Sequence, residues 1–399
     1  MAAMTPMTPT VRFPLVLASL AALLAAAPVA SGCGGQGSSA DGAGSPPGAD
    51  ASDDGAGTAA DGGLAGDDAA SDPGTPPSSD SGLSTDGAAD ADAAPSPPPI
   101  EFAPYFPTWV WGGSGYAITG LADLHARSGL TDVTIAFVLS GGGCKADGTI
   151  AQNLQDVKAF LAAGGHVKAS FGGADGTYVE SQCSDAASLA KAIEDFVDAT
   201  GIADLDFDIE QDPVLTDAVD AMRGQALAMV QAARPAVQVA FTLAALPHAS
   251  GSPGGLTSQG LAVVSHALSA GVTIAHVNLM TMDYGDSYGG QPLAPVAIGS
   301  LTDANAQLVG LVPGLTPAQA WRMLGVIPMI GKNDDAEVFS LADASDVASF
   351  AIQKRLGLVS FWSIDRDQVC PSGADYNTCS TVDAKDFDFA NAFLTVTTH

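Results

Sequence analysis

The chain has 399 residues and a formal net charge of −30, with 14 Lys and Arg set against 44 Asp and Glu. Its few scattered cations cannot neutralise a phosphate backbone, so nucleic acid is excluded and a neutral or cationic partner favoured. The five cysteines and six histidines contain no Cys-x-x-Cys and no ligand spacing, so no metal and no cofactor is expected.

The chain falls into three regions. Arg12 precedes an apolar segment from Phe13 to Ala30 that ends Ala30-Ser31-Gly32-Cys33, the charged, hydrophobic and small-residue parts of an export signal. The segment is short for a membrane-spanning helix and runs straight into glycine and cysteine. Its Ser-Gly-Cys ending resembles a bacterial lipobox, in which the cysteine is lipidated; Ala30 stands where leucine is usual. The expectation is an exported chain, held at the outer membrane or cell surface through lipid on Cys33, or simply secreted. Residues 34–100 are mostly Gly, Ser, Ala, Pro and Asp, with almost nothing large and apolar and without a single Lys or Arg. Such a stretch buries too little apolar surface to offset its ordering entropy and reads as a disordered tether, spanning on the order of 45 Å as a coil.

From Glu101 to residue 399 the composition is that of one folded domain, expected to be monomeric. Strands are expected at Glu101–Val110, Thr131–Ser140, His166–Gly173, Ala203–Glu210, Val237–Leu246, Val272–Tyr284, Leu324–Ile330 and Leu358–Ile364. Helices fall between them at Ile118–Ser128, Ile150–Ala163, Asp185–Thr200, Leu215–Ala233, Thr257–Ala270, Ala297–Leu311 and Leu341–Leu356, with Ala384–Leu394 last. Strand after helix, eight times over, is the count of a (β/α)₈ TIM barrel. An open doubly wound sheet is the alternative, and it lacks here the Gly-x-Gly-x-x-Gly turn after the first strand. Cys370 and Cys379 enclose a short Pro-Ser-Gly loop that closes easily, which leaves Cys144 to pair with Cys183 as a second disulfide.

The stretch Ala203-Asp204-Leu205-Asp206-Phe207-Asp208-Ile209-Glu210 alternates acids with apolar residues. Side chains two apart share a strand face, so all four acids point into the barrel, and Glu210 ends the row at the carboxyl rim where barrel enzymes work. Carboxyls about 7 Å apart in a poorly solvated interior raise one another's pKa, which suits Glu210 to donating a proton near neutrality. Whether the second carboxylate is nucleophile, base or neither stays open on this reading. Lys168 has the parity to face Asp204 from the neighbouring strand, although an outward or snorkelling lysine reads equally well. Ser170-Phe171-Gly172-Gly173, Met282-Asp283-Tyr284 and Phe361-Trp362-Ser363 also fall at strand ends. The Gly141-Gly142-Gly143 run lacks the Lys-Ser/Thr of a phosphate loop and reads as a plain turn.

Four motifs in this order, Ser-Phe-Gly-Gly, Leu-Asp-Phe-Asp-Ile-Glu, Met-Thr-Met-Asp-Tyr-Gly and a terminal Trp, resemble glycoside hydrolase family 18, with wording similar to secreted bacterial chitinases. The likeness runs from about 101 to 399. It departs in two places: Ala203-Asp204 replaces the family's Asp-Gly opening near the bottom of the acidic strand, and Gly285 separates Tyr284 from Asp286. The resemblance implies hydrolysis of β-1,4 links in chitin or N-acetylglucosamine oligosaccharides, with retention and with the sugar's own acetamido group attacking. It implies Glu210 as general acid and base, Asp208 on the acetamido N–H, Tyr284 on the acetamido oxygen, and Asp206 supporting Asp208. Trp362 would floor the sugar, with Met282, Ser170, Gly172 and Gly173 beside it and the Ser170 hydroxyl also placed to hydrogen-bond into the acid row; Trp109, Trp111 and Tyr116 are candidates for stacking or for the core. Three other readings compete. A calcium loop lacks its glycine. A glycan-binding barrel without catalysis would ordinarily lack Glu210. An endo-β-N-acetylglucosaminidase on other glycans would share every residue named.

Overall fold

The computed structural model describes residues 98–398 except 114–115 and 374–375. The export segment, Cys33 and nearly all of the tether lie outside the described residues. Ten strand segments form the main sheet. One of them, Gly255–Leu256, is an antiparallel appendage, and two, Glu101–Phe102 and Tyr105–Pro107, are halves of a single stave.

That leaves eight staves: β1 (the two halves), β2 Asp132–Val138, β3 His166–Gly172, β4 Asp204–Ile209, β5 Gln238–Leu246, β6 Ile274–Met280, β7 Leu324–Ile327 and β8 Leu358–Val359. Neighbours pair in parallel around the ring, and the ring closes because the first half of β1 pairs with β8 and the second with β2. The break in β1 follows from Pro104, which has no N–H for the ladder. The Ala103 carbonyl before it accepts the hydroxyls of Thr134 and Ser360 instead, so no backbone group is orphaned there.

Outward residues of the staves pack against the helices. Phe207 of β4 stacks on Phe171 of β3 at 5.2 Å between ring centroids, and Phe171 meets Phe196 of helix Ala186–Thr200 edge-on at 5.1 Å. That helix starts at a capping box of Asp185 and Ser188 and ends on Gly201 at φ 77°, so its length is fixed by local chemistry at both ends. Three staves stop sooner than their apolar runs suggest: β6 at Met280, β7 at Ile327 and β8 at Val359. Beyond those points the chain forms the rim. Disulfide Cys144–Cys183 ties the rim loop after β2 to the one after β3, and Cys370–Cys379 closes the loop after β8.

Candidate active site

The inward row of β4 rises through the barrel in three environments. At the bottom, Lys168 Nζ lies 2.6 Å from Asp204 Oδ2 and 2.9 Å from Glu101 Oε1, the pairing that strand parity suggests. His276 Nε2 is 3.6 Å from the other Glu101 oxygen. Burial alone would raise the Glu101 pKa, but His276 and the Lys168 charge outweigh it and hold the carboxyl at about 2.

One step up, Asp206 is fully enclosed. Ser170 and Tyr105 hydroxyls donate to its Oδ2 at 2.7 and 2.9 Å, and Thr242 Oγ1 and Asn278 Nδ2 donate to Oδ1 at 2.8 and 3.4 Å. Burial pushes its pKa up, and these donors oppose the push. Asp208 above it has no such escort. It is buried, its Oδ1 has no hydrogen-bond partner, and its pKa rises well above the carboxylate range through desolvation and then through Glu210 and Asp206.

Glu210 and Asp208 open into a cavity of about 600 Å³ at the carboxyl rim. Glu210 is pushed up to about 7, first by desolvation and then by Asp283, Asp175 and Asp334. It therefore carries its proton into the neutral range, as a group that protonates a leaving oxygen must. One wall is apolar: Tyr105, Ile327, Phe137, Met282 and Trp362 line it and, with Ala136 behind them, form a small cluster separate from the main core. Trp362 stacks on Phe137 at 5.5 Å and 16°, and the exposed Trp109 approaches it at 5.9 Å. A flat apolar wall facing carboxyls suits a ring with one apolar face and polar edges.

Several expected site residues fall elsewhere. Tyr284 does not line the cavity; it is half-buried, with its hydroxyl 3.0 Å from Ser300 Oγ. The parity that assigned it assumed an extended strand, but β6 ends at Met280 and Asp283 has φ 52°, so Met282 and Asp283 face the cavity instead. Trp111 is tied away from the cavity, its Nε1 donating to Asp156 Oδ2 at 2.8 Å while its ring rests edge-on against Phe106. Tyr116 is in the core.

Ser170 lies below the cavity and holds Asp206 rather than a ligand. Gly172 and Gly173 do not line the cavity either. They permit close approach, since a Cβ at Gly172 would sit 2.0 Å from the Asp208 carbonyl oxygen and one at Gly173 2.6 Å from the Phe137 ring. Asp286 accepts the Ala336 N–H at 3.1 Å and stitches two rim loops together. The sequence reading missed Tyr105, Thr242, Asn278 and Phe137, and gave Asp283 no role of its own although it placed it at a strand end. The signal for Thr242 and Asn278 was present, as each is a polar residue at an inward position of an apolar strand.

A closed parallel barrel with a carboxyl-lined, aromatic-walled cavity at its carboxyl rim places this chain among the TIM-barrel proteins, with its candidate site at the rim where barrel enzymes work. Comparison with known proteins narrows the class. No family model matches the chain. The catalytic domain of a hyperthermophilic chitinase from Pyrococcus furiosus superposes with a TM-score of 0.65 at 31% identity, over 75% of this chain and 95% of that one. Catalytic-site mutants of active domain 2 of the Pyrococcus furiosus chitinase, complexed with chito-oligosaccharides, match at 30% identity with the same TM-score of 0.65.

A probable bifunctional chitinase/lysozyme of Escherichia coli is 34% identical over 270 residues, and Endochitinase 11 of Metarhizium anisopliae 34% over 273. Each alignment takes in 63% of this chain but only 29% and 51% of those two proteins, so the chain spans about a third to a half of their length. The chain belongs to glycoside hydrolase family 18.

Proposed function

We propose that the cavity hydrolyses β-1,4 links between N-acetylglucosamine units with retention of configuration, using the substrate's acetamido group as nucleophile. The observation that carries this reading is the division of labour at the end of β4: Glu210, just past the strand and at about 7, reaches the cavity protonated, while Asp208 on it is buried and unpartnered at Oδ1. A carboxyl so deeply placed is poorly situated to attack a sugar carbon. It is well situated to accept an amide N–H from one, and it ionises as positive charge develops above it.

The sugar would rest on Trp362 and Phe137. Glu210 gives its proton to the glycosidic oxygen as that bond breaks, and the acetamido carbonyl oxygen closes on the anomeric carbon. The Glu210 carboxylate then takes a proton from water, whose oxygen opens the cyclic intermediate. The chito-oligosaccharides held by the Pyrococcus domain support this substrate class.

The test is turnover of N-acetylglucosamine oligomers, run beside an N-glycan substrate. Glu210→Gln should lose a factor of about a hundred or more in kcat with oligomer binding kept. Retained turnover in that variant would remove Glu210 as the acid. Binding without turnover in the wild type would make the cavity a lectin site, and cleavage of the N-glycan alone would move the substrate to other glycans.

A further inference from the structure

β4 leaves the sheet at Ile209, one residue before the proton donor. Its last bond toward β3 runs from Gly173 N–H to the Asp208 carbonyl at 3.0 Å. The next rung would take the Glu210 N–H to a carbonyl of β3, but that chain turns away through Gly172 and Gly173 at φ 112° and 94°. A side chain supplies the rung instead. The Glu210 N–H donates to the Tyr178 hydroxyl at 3.0 Å, and that hydroxyl faces the carbonyl oxygens of Gly173 at 2.8 Å and Asp208 at 3.0 Å.

Tyr178 is anchored through the segment that follows it. Two residues on, Glu180 pairs with the buried Arg223 at 2.9 Å, and Cys183 is bonded to Cys144. Its ring lies where a Cβ on Gly172 would stand, 2.8 Å from Cε1. Tyr178 itself does not line the cavity.

We propose that Tyr178 is a positioning residue for proton transfer, its hydroxyl replacing the lost rung so that Glu210 is fixed relative to Asp208 and to the bond being cleaved. The proposal rests on Glu210 being the acid. A displacement of the reacting group by an ångström costs up to about a hundredfold in rate, so one backbone bond at this point has leverage. Charged groups facing Glu210 are Asp208 on its own strand, Asp175 after β3, Asp283 after β6 and Asp334 after β7, with Asp147 and Arg366 also in the cavity wall. Tyr178→Phe changes none of these charges. It releases the Glu210 backbone, lets water reach the carboxyl and so weakens the desolvation that keeps it protonated.

The experiment compares the full-length wild type, Tyr178→Phe and Glu180→Gln on an N-acetylglucosamine tetramer across pH. For Tyr178→Phe the expected result is a kcat lower by about tenfold, KM within about twofold, and the alkaline limb of kcat moved to lower pH. Glu180→Gln loosens the same segment at Arg223 and should lower the unfolding temperature while leaving that limb in place. An unchanged kcat and limb in Tyr178→Phe, or the same displacement in Glu180→Gln, overturns the proposal. Oligomer binding is also compared between Glu210→Gln and Glu210→Gln/Tyr178→Phe. Equal affinity supports positioning, and lost affinity shows a hydroxyl that serves only the fold. An inactive wild type would refute the hydrolase reading itself, whereas an active wild type with an indifferent Tyr178→Phe refutes this inference alone.

Discussion

Glu210 faces carboxylates from three different loops: Asp283 after β6, Asp175 after β3 and Asp334 after β7. Asp283 is the strongest of the three and is itself raised to about 6, by burial first and by Asp334 second. Its carboxyl accepts the Asp334 N–H at 2.9 Å, and its own N–H donates to Asn333 at 3.3 Å, so its position is set by the turn between the antiparallel segments Gly331–Lys332 and Val338–Phe339 that follow β7 rather than by its own strand. In the role proposed for it Glu210 must be protonated to act, so kcat should fall as pH rises through about 7. Asp283→Asn removes one repelling charge, which lowers the Glu210 pKa and moves that fall to lower pH. At pH 7 the variant should run about threefold slower than wild type and at pH 5 nearly as fast, apart from any contact of Asp283 with the sugar. A pH–rate profile of the two proteins checks this, and an alkaline limb that stays in place would remove Asp283 as the source of the shift.

At the level of the strand, β3 and β4 are joined by side chains as well as by their ladder, and the two ends of that seam do different work. Lys168 lies opposite Asp204 in the register and Ser170 opposite Asp206. The lower pair is an ion pair with Lys168 almost wholly buried, and the upper one a hydroxyl feeding a carboxylate. Lys168→Ala would leave Glu101 and Asp204 without their cation, a loss of about 3 kcal/mol or more in unfolding free energy. Because the pair sits at the far end of the barrel from Glu210, kcat on oligomers should change little in the fraction that remains folded. Chemical unfolding and kinetics on one preparation would separate the two effects, and a stable but inactive variant would contradict the placement. The same seam shows what could be read in advance. Alternation from Ala203 to Glu210 was legible because a strand repeats every two residues, and Lys168 was legible because adjacent parallel strands keep parity. Parity failed wherever the backbone left the strand. It carried Tyr284 to the wrong side past Met280, and it could not show that the glycines after Ser170 make room for Asp208, Tyr178 and Phe137. Tyr105 reaches Asp206 across the barrel from a stave 101 residues away, and nothing local marks that contact. Trp109 and Trp111 are two residues apart, yet the short helical turn Thr108–Val110 sends one to the cavity and the other to Asp156.

Taken over the whole barrel, the acids are distributed so that its two ends respond to pH in opposite ways. At the amino end Glu101 is held at about 2, below its ordinary 4.5, so its contribution to stability is complete above 4.5 and is lost as pH falls toward 2. At the carboxyl end Asp283 and Glu210 are raised to about 6 and 7 from ordinary values of 3.8 and 4.5. Their contribution is complete below those ordinary values and is lost as pH rises through 6 and 7, when charges must form in a cavity that solvates them poorly. Asp208 adds in the same direction. The two trends leave a window near pH 4.5 in which the bottom is paired and the top is still neutral, so the unfolding temperature should peak at about pH 4 to 5 and fall toward pH 8. Glu210→Gln makes the upper end less sensitive, and at pH 8 it should melt about 2 °C or more above wild type while at pH 4 the two should nearly coincide. Calorimetric melts of both proteins across pH 3 to 8 measure this directly. A wild type that grows steadily more stable from pH 5 to 8, or a variant that gains as much at pH 4 as at pH 8, would show that the rim carboxyls are not held neutral by the fold, and the source of the proton for the glycosidic oxygen would have to be sought elsewhere.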